Sequence, residues 1–125
     1  MKVLLDTNFI MTCVKQKIDF FDRLEFLGFG ILIPRQVIEE LRRVYKKKNK
    51  KLKERDLAEV GLKILNANEN RFICLDLGKK HVDKLIVKYA KEHPMLVIAT
   101  LDSELKKKLK NSKMVIRNKK KLVVV

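Results

Sequence analysis

The sequence has little of what small secreted and membrane proteins depend on. Its cysteines, Cys13 and Cys74, both lie in apolar runs, which is typical of buried small residues rather than of a disulfide framework or a metal cluster. The longest apolar stretches, such as 95–99, are too short to cross a bilayer. A charge at Asp6 interrupts the first apolar run, so we expect no secretory signal. These absences predict a cytoplasmic protein with no membrane partner.

Several kinds of catalytic motif are also missing from the sequence. No hydroxyl or thiol nucleophile stands in a recognisable turn motif, and there is no glycine-rich phosphate loop. His81 and His93 are not spaced as a metal-binding pair. Aromatic residues make up 6% of the chain, so base stacking is not expected to dominate recognition of a nucleic acid. What the sequence does contain in quantity is charge, at 36% of its residues.

This charge is strongly one-sided. Thirty Lys and Arg residues face fifteen Asp and Glu residues, which gives a formal net charge of +15 at pH 7. Such a balance favours a polyanionic partner, because Lys and Arg contacts to phosphates release condensed counterions. Nucleic acid is favoured over an anionic membrane surface. The alternative is the lysine-rich bias of a heat-adapted organism, but that bias enriches Glu as well, and here Glu does not keep pace with Lys.

Short apolar runs alternate with segments of helical periodicity along the chain. Strands are predicted at 3–5, 31–33, 72–75, 95–99, 114–116 and 122–125. Helices are predicted to start near positions 7, 19 and 34 and to span 54–66, 80–92 and 102–109. The lysine-rich stretch 46–53 is predicted to be an exposed connection. The alternation implies a mostly parallel central sheet in a three-layer α/β/α domain, and we expect residues 1–125 to form one domain.

Four acidic residues occupy positions that should meet in such a fold. Asp6 directly follows the first strand, and Asp102 follows the fourth strand by three residues. Asp83 lies in the first turn of the helix before the fourth strand, and Glu40 lies near the second turn of the helix after the second strand. Ligands gather at the carboxyl ends of parallel strands where the strand order reverses. The four carboxylates are therefore predicted to converge on one cleft.

Clustered carboxylates raise one another's pKa and need a neutralising partner, which a hard divalent cation such as Mg²⁺ supplies. One or two such ions could polarise a phosphate and activate a water, so an acidic site on a strongly basic chain suits a nuclease better than a scaffold. Each acid also has a plainer interpretation, since Asp6 and Asp102 suit helix caps and Asp83 suits a helix first turn. Helical geometry alone does not decide whether Glu39 or Glu40 faces the cleft, since the two side chains point ~100° apart around the helix axis.

Four segments resemble the motifs of the PIN-domain ribonucleases and follow one another in that family's order. They are LLDTNFI at 4–10, VIEEL at 37–41, DKLIV at 83–87 and ATLDSEL at 99–105. The resemblance covers the chain from residue 3 to its last strand. With its long basic tail, the chain is most similar to the archaeal and eukaryotic PIN proteins of ribosomal RNA processing, and the toxin ribonucleases of toxin–antitoxin pairs share the same four motifs.

The resemblance implies a PIN-like α/β/α fold and a site that binds Mg²⁺ or Mn²⁺. The catalytic and metal-binding residues implied are Asp6, Glu40, Asp83 and Asp102. Hydrogen-bond support is implied for Thr7 or Asn8 and for Thr100.

Two positions depart from the family pattern. The third motif often has a small residue or a second acid beside its Asp, whereas here the neighbours are Val82 and Lys84. Lys84 would weaken metal binding or contact RNA. Glu104 follows Asp102 by two residues, which leaves open which of the two acids coordinates a metal directly and gives the other a supporting role.

A basic stretch at 42–55 holds nine Lys and Arg residues and is predicted to clamp an RNA backbone without sequence preference. The residues predicted to bind RNA are Arg42, Arg43, Lys46, Lys47, Lys48, Lys50, Lys51, Lys84, Lys106 and Lys107. The leading hypothesis is a metal-dependent endoribonuclease that processes ribosomal or other structured RNA. The alternatives are a toxin ribonuclease and a PIN-like RNA-binding factor with little cleavage. A homodimer is a family-level expectation, and ribosome-processing proteins or an antitoxin are the further partners implied.

Overall fold

A computed structural model describes residues 1–48 and 51–125, which contain a six-stranded sheet. The strands are β1 (Lys2–Leu5), β2 (Gly30–Pro34), β3 (Ile73–Leu75), β4 (Val97–Ala99), β5 (Lys113–Arg117) and β6 (Lys121–Val124). Their order across the sheet is β3-β2-β1-β4-β5-β6. All neighbouring strands pair in parallel except β5 and β6, which form an antiparallel hairpin. The predicted mostly parallel sheet is confirmed.

Within the described residues, six α-helices connect the strands. They are α1 (Thr7–Lys15), α2 (Phe20–Phe26), α3 (Arg35–Lys46), α4 (Leu52–Ala67), α5 (Val82–Glu92) and α6 (Ser103–Lys107). Aspartate side chains accept backbone N–H groups at the starts of α1, α2 and α6. The predicted connection at 46–53 is shorter than expected, because helix occupies both of its ends, and residues 49 and 50 within it lie outside the described part. Across residues 1–48 and 51–125, no helix combines the length and the apolar content that a membrane span requires.

The sheet is covered on both faces, because successive side chains of its central strands point into two different apolar clusters. Val3 and Leu5 of β1 pack in a cluster with residues of α1, α2, α3 and α4, whereas Leu4 packs with residues of α5 and α6. In β4, Ile98 joins the second cluster while its two neighbours join the first. The predicted three-layer α/β/α architecture is confirmed.

The strand order reverses beside β1. Strands β2 and β3 follow one another on one side of β1, and the chain then crosses to β4 on the other side of β1. The helices of the first half cover one face of the sheet, and α5 and α6 cover the opposite face. The carboxyl ends of β1 and β4 therefore open between the two helical layers, which is where ligands bind in sheets of this kind.

Two predicted strands differ from those observed. Cys74 in β3 is exposed, not buried as expected, because β3 is the edge strand and pairs with β2 alone. The other cysteine is buried as expected. The strand predicted at 95–99 begins two residues later, because Pro94 and Met95 form a turn before it.

Candidate active site

Asp6 lies directly after β1, and the residue is 4% exposed. Its backbone N–H donates to the carbonyl of Ala99 at 2.9 Å, so the pairing of β1 with β4 continues up to the site. Asp6 Oδ1 accepts the backbone N–H of Thr7 at 2.8 Å, and Oδ2 accepts the hydroxyl of Thr100 at 2.8 Å. Both carboxylate oxygens are thus held in fixed directions by the protein.

Burial raises the pKa of Asp6 from 3.8 to about 6. The hydrogen bonds from Thr100 and Thr7 lower this pKa, while the negative charges of Asp83 and Glu40 raise it. Carboxylates on α3 and α5 therefore lie within electrostatic reach of Asp6. A buried carboxylate that is charged at neutral pH is unfavourable unless a cation or further hydrogen bonds compensate it.

A hydrogen-bond network joins the ends of β1 and β4 around this carboxylate. Asn8 Oδ1 accepts the backbone N–H of Leu101 at 3.0 Å and lies 3.4 Å from the Thr100 hydroxyl oxygen. That hydroxyl oxygen also accepts the backbone N–H of Asp102 at 3.2 Å. Thr100 therefore holds Asp6 through its proton and positions Asp102 through its oxygen.

The four predicted carboxylates line one open cleft with a volume of about 1140 Å³. Asp6 is the most deeply buried of the four, Glu40 and Asp102 are half-buried, and Asp83 is exposed at the start of α5. In the part of the chain that the structure describes, no three acidic, His or Cys side chains are arranged so that they could hold an ion by themselves. Mg²⁺ keeps several waters and needs as few as one or two protein carboxylates, so this oxygen donor set fits a hydrated ion.

The two adjacent glutamates of α3 both line the cleft but have different partners. Glu39 forms an ion pair with Arg35, one turn earlier in the helix, and Arg35 also pairs with Asp76 at 3.1 Å. Glu40 acts on Asp6 instead, since its charge raises the pKa of that carboxyl. This arrangement favours Glu40 over Glu39 as the acid that faces Asp6, a choice that helical geometry alone left open.

Glu104 is not brought into the cleft by its side chain. It is exposed, and its carboxylate lies 3.7 Å from the Lys107 ammonium. Its backbone N–H, rather than its carboxylate, joins the site by donating to Asp102 Oδ1 at 2.9 Å. Thr7 likewise contributes its backbone N–H, while its hydroxyl is buried without a hydrogen-bond partner among the described residues.

The rim of the cleft is basic. Of the residues predicted to bind RNA, Arg43 and Lys84 line it. The others in the described part lie on the surface without lining the cleft, and they are Arg42, Lys46, Lys47, Lys48, Lys51, Lys106 and Lys107. Lys50, also predicted to bind RNA, lies outside the described residues. The rim also carries cations that are not among the residues predicted to bind RNA, and they are Arg35, Lys79, Lys80 and Lys108.

Gln36, in the first turn of α3, has a structural role that the sequence did not indicate. The residue is 5% exposed. Its side-chain Nε2 donates to Asp76 Oδ1 at 2.9 Å and to the Gly78 carbonyl at 2.7 Å, and its Oε1 accepts the backbone N–H of Leu77 at 3.2 Å. One amide thus ties α3 to the loop that leads from β3 to Asp83. No local pattern signals this contact, because only the fold brings residues 36 and 76–78 together.

We expect Gln36→Leu to loosen the loop at 76–78 while leaving β1 and β4 intact. The Leu77 N–H and the Gly78 carbonyl would lose their partner, at a cost on the order of 1 kcal/mol for each group. Amide hydrogen exchange should therefore accelerate at residues 77 and 78 and stay unchanged in the central strands. Gln16→Leu is the matched control, since Gln16 Oε1 is buried with no hydrogen-bond partner among the described residues. Equal exchange in both variants would contradict the role of Gln36.

Comparison with known proteins agrees with this architecture. A family model described as "PIN like domain" matches residues 3–121. Ribonuclease VapC4 of Methanocaldococcus jannaschii is 34% identical over 125 residues, which cover 95% of this chain and 92% of that protein.

Solved structures give the same result. The structure of the PIN domain endonuclease Utp24 matches with a TM-score of 0.76 at 27% sequence identity, covering 98% of this chain and 90% of that chain. The structure of VapBC2 from Rickettsia felis bound to a DNA fragment from their promoter matches with a TM-score of 0.60, covering 90% of this chain and 98% of that chain. Its identity of 19% supports the fold alone.

Proposed function

Because the chain belongs to the family of PIN-like domains, we propose that it is a Mg²⁺- or Mn²⁺-dependent endoribonuclease. The observation that carries the proposal is the buried Asp6 carboxylate, whose pKa is raised to about 6 in a cleft shared with four further carboxylates, those of Glu39, Glu40, Asp83 and Asp102. On a chain with a net charge of +15, such a cluster of carboxylates inside a basic rim suits a metal ion bound between the protein and a polyanionic substrate.

In the proposed reaction, the metal ion and the carboxylates of the cleft would have different roles. A bound Mg²⁺ or Mn²⁺ would supply Lewis-acid polarisation of the phosphate and a more acidic water. Asp6 would hold the ion, because Thr7 and Thr100 already fix its two oxygens in direction. Glu40 and Asp83, on the two helical walls, and Asp102 would hold the ion through its bound waters and orient those waters, because no three acidic side chains in the described part are arranged to hold an ion by themselves.

The basic rim would hold the RNA beside these carboxylates. Arg43, Lys84 and the rim lysines at 79, 80 and 108 offer charges for several phosphates. Such contacts give affinity and a steep salt dependence but no base preference. The 34% identity to a protein named a ribonuclease supports RNA as the substrate, and the 27% identity to a PIN domain endonuclease supports internal cleavage.

Within this activity, we propose processing of ribosomal or other structured RNA, with ribosome-processing proteins as partners. A second candidate is a toxin ribonuclease held inactive by an antitoxin, because the toxin ribonucleases carry the same four acidic motifs. Expression of the wild type, but not of an inactive variant, should arrest growth if the toxin candidate is right. A PIN-like RNA-binding factor with little cleavage is the third candidate, which the Lys84 departure motivates.

The proposal is tested by incubating wild type and Asp102→Asn with structured RNAs in Mn²⁺, Mg²⁺ or EDTA. We expect metal-dependent cleavage by the wild type and a loss on the order of a hundredfold or more in the variant. Asn preserves the helix cap, because its side-chain oxygen can accept the α6 N–H groups that Asp102 Oδ1 accepts at 2.9 and 3.4 Å.

Glu104→Gln is the matched control for that assay, since this nearby acid is exposed and pairs with Lys107. It should cleave RNA like the wild type. Binding of RNA without cleavage under every condition would replace the ribonuclease by the RNA-binding factor.

A further inference from the structure

The hairpin of β5 and β6 extends beyond the edge of the sheet that carries the cleft. Ala99, the last residue of β4, pairs with Met114, and β5 continues for three more residues to Arg117. At about 3.3 Å per residue, the strand runs ~10 Å past the end of β4. Since β5 is parallel to β4, this extension points from the same edge at which Asp6 and Asp102 lie.

The part of the chain that forms this extension carries charge of one sign. Between Leu105 and Val125 there are nine Lys and Arg residues and no Asp or Glu. Four of the nine lie at the hairpin tip, residues 117–121, and all five tip residues are exposed. The tip has no aromatic side chain, so it offers charge without a surface on which bases could stack.

The tip holds a lysine where the backbone favours glycine. Asn118 and Lys119 both have left-handed conformations, with φ of 51° and 71°. Asn tolerates this region, but Lys is disfavoured there, and hairpin turns with two such residues usually place Gly second. A residue kept in a disfavoured conformation points to a role for its side chain.

The tip is also anchored to the body of the protein. The Arg23 guanidinium, on α2, donates to the backbone carbonyl of Lys120. The Lys120 N–H donates to the Asn118 carbonyl at 2.9 Å, which closes the turn. Both contacts use backbone atoms of the tip, so its lysine side chains remain available to a partner.

We propose that the hairpin tip, residues 117–121, is a second binding site for the RNA backbone, apart from the cleft. This inference rests on the proposed function and adds a place where the substrate strand is held away from the cut. Flexible lysines at a projecting tip suit phosphates as point charges. An acidic protein is the other class of partner that such a tip could bind, but RNA is favoured because the tip projects from the edge of the sheet at which RNA would enter the cleft.

The test compares Lys119→Gly with Lys17→Gly. Lys17 is also an exposed lysine in a left-handed conformation, with φ of 58°, so both variants remove one charge and relieve the same kind of strain. Lys17 follows the far end of α1, a nine-residue helix that begins at Thr7 and carries the chain about 14 Å away from the cleft. The probe is a fluorescent single-stranded RNA of about 16 nucleotides, bound in EDTA so that metal-dependent cleavage does not interfere.

We expect Lys119→Gly to weaken RNA binding on the order of threefold to tenfold, and Lys17→Gly to leave it unchanged. Both variants should unfold at the wild-type temperature or above it, because Gly suits both positions. In the triple variant that combines Lys119→Gly with Lys120→Gln and Lys121→Gln, the slope of log affinity against log salt should be lower than that of the wild type by about 2, at ~0.7 for each of three phosphate contacts to a single strand.

Each outcome bears on the proposal. Unchanged RNA affinity and salt slope in the triple variant, while the wild type binds and cleaves RNA, would overturn the second site and leave the ribonuclease standing. Loss of binding to poly-glutamate without loss of RNA binding would assign the tip to an acidic protein partner instead. A wild type that binds no RNA would remove both proposals.

Discussion

In metal-free buffer at neutral pH, Asp6→Asn should resist urea better than the wild type, although its RNA cleavage should fall on the order of a thousandfold. Both effects have one cause. Asp6 is a carboxylate that is 4% exposed and sits close enough to Asp83 and Glu40 for their charges to raise its pKa. The proposed chemistry needs this charge, whereas the packing of the protein would be more favourable without it.

The substitution fits the site sterically. The Asn oxygen can accept the Thr7 N–H, as Asp6 Oδ1 does at 2.8 Å. The new amide nitrogen would face the Thr100 hydroxyl oxygen, and the hydroxyl proton can turn to Asn8 Oδ1, which lies 3.4 Å away. The network between β1 and β4 is therefore kept, so loss of cleavage in this variant would not reflect loss of the fold.

The gain in stability should depend on pH in a defined direction. In the folded protein the pKa of Asp6 is raised to about 6, so between 3.8 and that value the folded state binds more protons than the unfolded state. The free energy of unfolding of the wild type should therefore fall as the pH rises from about 4 to about 6, by about 3 kcal/mol at most from this group. The free energy of unfolding of Asp6→Asn should not show this decrease, because Asn does not titrate.

Urea denaturation in EDTA at about pH 4 and about pH 7.5 checks this prediction, because the two proteins should differ little at the lower pH and clearly at the higher. Excess Mn²⁺ should stabilise the wild type more than the variant, since an ion that binds the folded state favours folding. The assignment of Asp6 fails if the variant still cleaves RNA, or if it is less stable than the wild type at neutral pH without metal.

Glu40→Gln should lower cleavage on the order of a hundredfold, whereas Glu39→Gln should lower it less than about fivefold. The two residues are adjacent in α3 and both are half-buried, so the two variants form a matched pair. Glu40 is the one whose charge acts on Asp6, while Glu39 is ion-paired with Arg35. The ion pair of Glu39 and Arg35 is open to solvent, with side chains that are 36% and 47% exposed, so it should contribute less than about 1 kcal/mol to stability.

The readout is the cleavage rate of both variants over a range of Mn²⁺ concentrations, together with the pH dependence of metal-free stability. Glu40→Gln removes a negative charge near Asp6, so it should also lower the pKa of Asp6 and narrow the pH range over which stability falls. Glu39→Gln should leave that range unchanged. A larger loss of cleavage in Glu39→Gln than in Glu40→Gln would reverse our assignment.

Much of the fold could be predicted from the sequence because its signals are local. The short apolar runs became β1, β2, β4, β5 and β6 within one or two residues, and the helical segments became helices. Strand β3 was located correctly, but the prediction that Cys74 is buried there was wrong. The strand lies at the edge of the sheet and leaves Cys74 exposed, and no local sequence pattern reveals which strand lies at the edge.

Part of the candidate site could likewise be predicted from the sequence, and part could not. The sequence by itself placed Asp6 and Asp102 at one edge of the sheet, because a residue that follows a parallel strand lies at a known edge. Asp83 was placed there by the geometry of the crossover helix and Glu40 by the family motif, and all four line one cleft together with Glu39. The metal that would bind there stays a prediction. Only the tertiary structure showed that Glu40 rather than Glu39 acts on Asp6, and that Arg35, Lys79 and Lys80 line the rim of the cleft.

The tertiary structure alone decided the energetics of the site. The pKa of Asp6 is raised because other parts of the chain exclude water from it, and burial is a property of the assembled fold. Gln36 reaches a loop that begins 40 residues away, and Thr100 reaches Asp6 across 94 residues. Periodicity in a sequence reports which residues lie on one face of an element, but it carries no information about which distant groups that face will contact.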